Sequence, residues 1–81
     1  MRYYVYILQC EDGYLYTGIT YDIKKRLMEH QCGYCPLTKN RGKVKVVYKE
    51  EFNTRIDAAK REKEIKGWRR SKKILLIKNN S

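Results

Sequence analysis

The sequence predicts an α+β fold: a three-stranded antiparallel sheet, built from a β-hairpin, a helix and a third strand, and flanked by helices. Three observations carry this expectation. Residues 3–10 and 14–20 are rich in aromatic and β-branched residues and are separated by Glu11-Asp12-Gly13, a turn signal. Asp22 and Thr54 each stand immediately before a segment of helical periodicity, as N-caps do. Between those two helices VKVVY, residues 44–48, reads as a third strand reaching toward Phe52.

The hairpin comes first, and its loop length decides which tyrosines meet. A three-residue loop suits glycine at its third position, where Gly13 lies. Counting outward pairs Cys10 with Tyr14, Leu8 with Tyr16 and Tyr6 with Gly18. Opposed residues share a face, so Tyr4, Tyr6, Tyr14 and Tyr16 are expected on one side of the sheet. A two-residue Asp-Gly loop would instead separate Tyr6 from Tyr16. Six of the eight tyrosines fall within the first 21 residues, and each buried hydroxyl needs a partner.

The first helix runs from Asp22 to about His30, with Ile23 and Leu27 defining its apolar stripe. Arg26 and His30 fall on that stripe, close to its middle, whereas Lys24, Lys25 and Glu29 point away. Aiming an arginine and a histidine at a sheet is costly unless they meet partners or a cleft. The alternative, that both sit at the edge of the stripe and reach water, is less comfortable for two such residues at i and i+4. Residues 31–43 read as a loop. Thr54-Arg55-Ile56-Asp57 then matches a capping box and opens a second helix ending near Gly67. On its wheel Ala58, Ala59 and Ile65 bracket an arc containing Glu62, while Lys60, Arg61 and Glu64 lie on a solvent side. Ser71 is expected to cap a short last helix carrying ILLI.

Eighty-one residues suffice for a single domain, 1–81, with a thin core. The composition, 42% hydrophobic and 35% charged, argues against disorder. The apolar runs YVYIL and ILLI are too short to cross a bilayer, and the N-terminus lacks a signal-peptide pattern, so no membrane and a cytoplasmic location are expected. Nineteen Lys and Arg against nine Asp and Glu give a formal charge of +10. From Ile65 onward there are six bases and no acid, a composition that attracts polyanions, nucleic acid first among them. A merely solvated surface is the alternative, and an excess this large in so short a chain weighs against it.

His30, Cys32 and Cys35 form an HxCxxC, and Cys10 would complete four nominal zinc ligands. No second matched pair accompanies it, and Pro36 and a polar run follow where a redox motif would open a helix. Ordinary loop thiols are therefore expected, and zinc is not.

A carboxylate, an arginine and phenols beside a basic surface suggest phosphodiester chemistry. The carboxylate could hold a divalent metal, Arg26 could neutralise charge building on the phosphate, and a tyrosine or histidine could deprotonate a water. Phenol is a poor base at its ordinary pKa of about 10, so a nearby cation would have to favour its ionised form. Taken alone, Glu62 would more simply pair with Arg55 or Lys66.

These residues resemble the GIY-YIG nuclease superfamily, in particular its small stand-alone members. Tyr4-Val5-Tyr6 stands where the first motif belongs, with Tyr4 replacing its glycine, and Tyr16-Thr17-Gly18 matches the second. The helix D-I-K-K-R-L-x-E-H supplies Arg26 and His30. Thr38 before Arg41-Gly42, then VVY, then A-x-R-E at Ala59 to Glu62 match the remainder in order and spacing, through K-x-x-R-R-x-K-K. The resemblance implies metal-dependent hydrolysis of DNA. It makes Tyr6 the general base, Tyr16 a group orienting water or phosphate, Arg26 a phosphate stabiliser, His30 an aid to positioning or proton transfer, and Glu62 the ligand of one Mg or Mn ion.

Lys24, Thr38, Lys39, Arg41, Lys66, Arg69, Arg70 and Lys73 are the expected nucleic-acid contacts, to DNA or alternatively RNA. Family nucleases with established targets commonly carry an additional recognition domain, so a protein partner supplying DNA specificity is expected here. Two functions follow: a metal-dependent endonuclease, structure-selective and acting in DNA repair, or a catalytically weak nucleic-acid-binding module within a larger complex.

Overall fold

A computed structural model describes residues 2–32 and 42–79 of the chain. The elements run β1 (Tyr3–Cys10), β2 (Leu15–Thr20), α1 (Ile23–Gln31), β3 (Val44–Phe52), α2 (Arg55–Lys66) and α3 (Arg70–Asn79). The sheet is antiparallel with order β2-β1-β3, which puts the first strand in the centre and leaves β2 and β3 as edges. The expected α+β architecture is the observed one.

The hairpin closes as its loop chemistry dictates. Gly13 takes φ +93°, its N–H donates to the Cys10 carbonyl at 2.9 Å, and the Cys10 N–H donates to the Tyr14 carbonyl at 2.9 Å. Asp12 Oδ1 accepts from the Tyr14 N–H at 3.0 Å, an Asx turn that fixes the same bend. The resulting register pairs Tyr6 with Gly18 and Leu8 with Tyr16, as the three-residue loop requires. Both helix N-caps also form: Asp22 accepts from the Lys25 N–H at 3.1 Å, and Thr54 from the Asp57 N–H at 3.2 Å.

Alternation along β1 divides the protein into two layers. Val5 and Ile7 face one side and form the core with Leu15, Tyr48, Ala58 and Ile65. Trp68, Ile74, Leu76 and Ile77 seal this core from α3 and the segment before it. Tyr6 faces the other side, where α1 sets the buried His30. The helices therefore grip opposite faces: α2 and α3 cover the apolar one, and α1 covers the phenolic one. A bulge in β3 opposite Ile7 and Leu8 skips Val47, so that Tyr48 pairs with Ile7 and Val46 with Leu8. Val47 and Tyr48 thereby both reach the α2 side.

Three sequence expectations are corrected here. Ser71 lies inside α3 rather than capping it, because the Arg69 carbonyl already accepts the Lys72 and Lys73 N–H groups. Ala59 is exposed, so the buried seam of α2 is narrower than the arc expected and consists of Ala58 and Ile65. Arg61 is not on a free solvent side. Its Nε donates to Glu50 Oε1 at 3.0 Å, its Nη1 pairs with Glu64, and Glu50 also accepts the Tyr48 hydroxyl at 2.9 Å. Arg61 and Lys72 further stack over Trp68, at 5.1 and 4.2 Å from the ring centroid.

Candidate active site

Three of the expected residues meet on the α1 face of the sheet. The Tyr6 hydroxyl lies 3.4 Å from His30 Nε2, and the Tyr6 and Tyr16 ring centroids are 6.2 Å apart. His30 packs against Tyr16 with centroids 4.8 Å apart. Tyr6 comes from β1, Tyr16 from β2 and His30 from the end of α1, so hairpin register and helix docking must both be right for the cluster to exist. Tyr6 is 2% exposed and His30 3%, whereas Tyr16 is only half-buried. Of the two phenols, Tyr16 is the one that meets solvent.

His30 titrates below its ordinary range. Burial is the main cause and the Arg26 charge adds to it, while Glu29 acts in the opposite direction. A neutral imidazole is thus favoured at neutral pH, with Nε2 able to accept the Tyr6 proton if the other ring nitrogen carries the hydrogen.

Arg26 stands at the rim rather than the middle of the buried stripe. Its side chain is 45% exposed, and its Nε lies 3.6 Å from Glu29 Oε1. The long side chain runs along the helix surface and keeps its charge in water. It lines a cleft with Thr20, Tyr21 and the α2 residue Arg55. Residues of α1 and α2 therefore meet beyond the end of β2, although the helices cover opposite faces. Arg55 is the functional candidate that the sequence reading passed over, its only signal being its helix phase relative to Glu62.

Glu62 belongs to α2, and so to the layer across the sheet from Tyr6. Its side chain is 20% exposed and pairs with Lys66 Nζ at 3.5 Å. It looks inward, as the helical wheel suggests, along a stripe bordering Ala58 and Ile65. Among the described strands β2 is an edge of the sheet, with β1 as its neighbour.

The sequence pattern decides the family. The GIY-YIG catalytic domain profile matches residues 2–74. The chain belongs to the GIY-YIG family. It is 48% identical over 77 residues to a UPF0213 protein of Staphylococcus saprophyticus, covering 94% of each chain, and 46% identical over 77 residues to one of Staphylococcus aureus, again covering 94% of each. Its fold resembles two solution NMR structures. One is a UPF0213 protein from Bacillus halodurans, with TM-score 0.63, 38% identity, and coverage of 96% of this chain and 84% of that one. The other is a protein from E. faecalis, with TM-score 0.67, 36% identity, and coverage of 98% and 85%. As a GIY-YIG protein the chain has a nuclease-type fold, and the substitution of Tyr4 for the first motif glycine leaves that assignment intact.

The remaining expected contacts of this GIY-YIG domain are dispersed. Lys24 and Arg69 are exposed, Lys73 is half-buried, and Lys66 is engaged with Glu62. Arg70 Nη1 donates to the Gly13 carbonyl at 2.6 Å, so part of its guanidinium ties α3 to the hairpin turn. Thr38, Lys39, Arg41 and Cys35 lie outside the described residues. Cys10 is buried and Cys32 exposed. Among the described residues no helix is long and apolar enough to cross a membrane.

Proposed function

We propose that this protein is a metal-dependent endonuclease that hydrolyses DNA phosphodiester bonds, choosing its target by DNA structure in repair or maintenance. The observation that carries the reading is the buried Tyr6–His30 contact beside Tyr16, formed by residues in the order of the GIY-YIG motifs. Neutral His30 holds the Tyr6 hydroxyl as an acceptor and gives its proton somewhere to go. Tyr16, the more open phenol, faces the water or the phosphate. Arg26, exposed at the rim, neutralises charge that builds on the phosphate oxygens. With contacts mostly to phosphates, sequence preference is weak, and a protein partner supplies specificity.

Glu62 is the residue that would hold Mg or Mn. Its half-buried carboxylate already faces one cation, Lys66. Among the described residues no three of His, Cys, Asp and Glu gather in one place. One carboxylate, with water and phosphate oxygen completing the shell, suits Mg or Mn better than zinc, which takes at least three protein ligands. When bound, such an ion polarises the phosphate and eases departure of the leaving oxygen.

The test is incubation of the protein with branched, flapped and plain duplex DNA in Mg or Mn. Cleavage is expected, and it should disappear in Glu62→Ala and in Arg26→Ala. Activity that survives both substitutions rejects the assignment.

A second reading, a nucleic-acid-binding module with weak or partner-dependent chemistry, draws support from the packing of α2 on the face opposite Tyr6. It predicts salt-sensitive affinity without turnover in either metal.

A further inference from the structure

We propose that Arg55 binds phosphate, and that the cleft it shares with Arg26 takes the phosphate neighbouring the one under attack. This deepens the nuclease reading and rests on it for the identity of the substrate.

The cleft lies where the end of β2 meets the first turns of α1 and α2. It encloses about 140 Å³ and is lined by Tyr3, Ile19, Thr20, Tyr21, Arg26 and Arg55. No carboxylate lines it. Glu29, whose Oε1 lies 3.6 Å from Arg26 Nε, lines with Asp22 an adjoining hollow that shares Thr20, Tyr21 and Arg26 with the cleft. Among the described residues the Arg55 side chain has no hydrogen bond or ion pair. Two guanidinium groups brought by different helices to one space repel each other. An anion between them reverses that, and the planar donor fork of arginine matches phosphate oxygens. Arg55 is also the first residue of α2, directly after the Thr54 cap, so the positive end of the helix adds to the same potential. The volume is well below the roughly 300 Å³ at which pockets begin to hold whole small molecules. A phosphate fits, and a nucleoside does not.

Position gives the cleft its role. Thr20 lies two residues from Gly18 on the same face of β2, about 7 Å along the strand. That step is comparable with the spacing of adjacent phosphates on an extended strand. Arg55 lies two turns before Glu62 on one stripe of α2, about 10 Å away. Arg26 thus stands between two phosphate positions: one beside the phenols, the other toward Arg55. Tyr21, 55% exposed at the cleft's lip, is placed to cover the second.

The experiment follows the arginine Nε–Hε resonances by NMR during titration with inorganic phosphate, then with a short single-stranded DNA, both without divalent metal. The Arg26 and Arg55 signals are expected to move together and saturate. Arg55→Gln should abolish the saturable phosphate response at Arg26, and Arg55→Lys should restore part of it. For DNA, Arg55→Gln should lower the slope of log affinity against log salt by about 1. An Arg55 signal that does not move, or Arg55→Gln binding phosphate like the wild type, overturns the proposal. Because the titration uses no metal and no turnover, a saturable Arg55 response without cleavage keeps this site while rejecting the nuclease. The wild-type titration decides the matter even if a variant folds poorly.

Discussion

The hydroxyl of Tyr6 rests on the backbone of Gly18: a methyl group there would come within 2.5 Å of the phenol oxygen and 2.9 Å of the Tyr16 ring. The two residues are direct partners across the hairpin. Glycine is needed at this position for space, since its backbone is ordinary strand. Alanine in a strand normally gains about 0.5–1 kcal/mol over glycine. Gly18→Ala should instead lose roughly 1–2 kcal/mol, the cost of overpacking, and cut DNA cleavage at least tenfold. Urea unfolding and near-UV circular dichroism check this. A variant as stable as the parent, with an unchanged tyrosine signal, contradicts it.

His30 predicts an acid-sensitive fold. It is faced by Tyr6 from β1, Tyr16 from β2, and Arg26 and Glu29 on its own helix. Its folded pKa lies below the ordinary 6.5, so between the two values the unfolded chain binds the extra proton. Stability contributed by neutral His30 is complete above about pH 6.5 and is lost as the pH falls toward the lowered folded value. Urea midpoints at pH 7.5 and 5.5 should differ more for the wild type than for His30→Gln. Equal acid losses in the two proteins would remove His30 as the cause.

Ile65 anchors α2 to the sheet and is fully buried. Ile65→Ala should cost about 3 kcal/mol, because the neighbouring Val5, Ile7 and Ala58 cannot collapse around the lost volume. Ile56, the second residue of the same helix but 69% exposed, serves as the control. Ile56→Ala should stay within roughly 0.5 kcal/mol. Chemical denaturation of both variants measures the contrast.

Arg69 and Arg70 are adjacent, yet they should behave differently toward DNA. Arg70 spends one nitrogen on the Gly13 carbonyl, 57 residues away in sequence, whereas Arg69 is exposed. Arg69→Gln should lower the salt slope of DNA binding by about 1, and Arg70→Gln by less. Arg70→Gln should also loosen the hairpin tip, losing roughly 0.5–1 kcal/mol and speeding amide exchange at Gly13 and Tyr14. Identical salt slopes for the two variants would refute the distinction.

Much of the phenolic half of the site was legible because it follows from local rules. Gly13 at the third loop position selects the register, and the register alone puts Tyr6 opposite Gly18 and beside Tyr16. His30 on the sheet-facing stripe of α1 follows from a period of 3.6 after the Asp22 cap. Arg26 and Arg61 were less legible, since a helical wheel gives direction but not depth. A long guanidinium near the seam can rise to water, as Arg26 does, or be drawn down by a partner strand, as Glu50 draws Arg61.

Taken by itself, the amino-acid order determined the three strands, the two capped helices, the hairpin pairing and the positive charge, all set by residues close together in the chain. Tertiary structure alone decided that α1 and α2 cover opposite faces of the sheet, that β3 bulges at Val47, and that Arg26 and Arg55 open onto one cleft. Those features arise where elements distant in sequence compete for the same buried surface. No single window of the chain contains the packing and ion-pair energies that settle that competition.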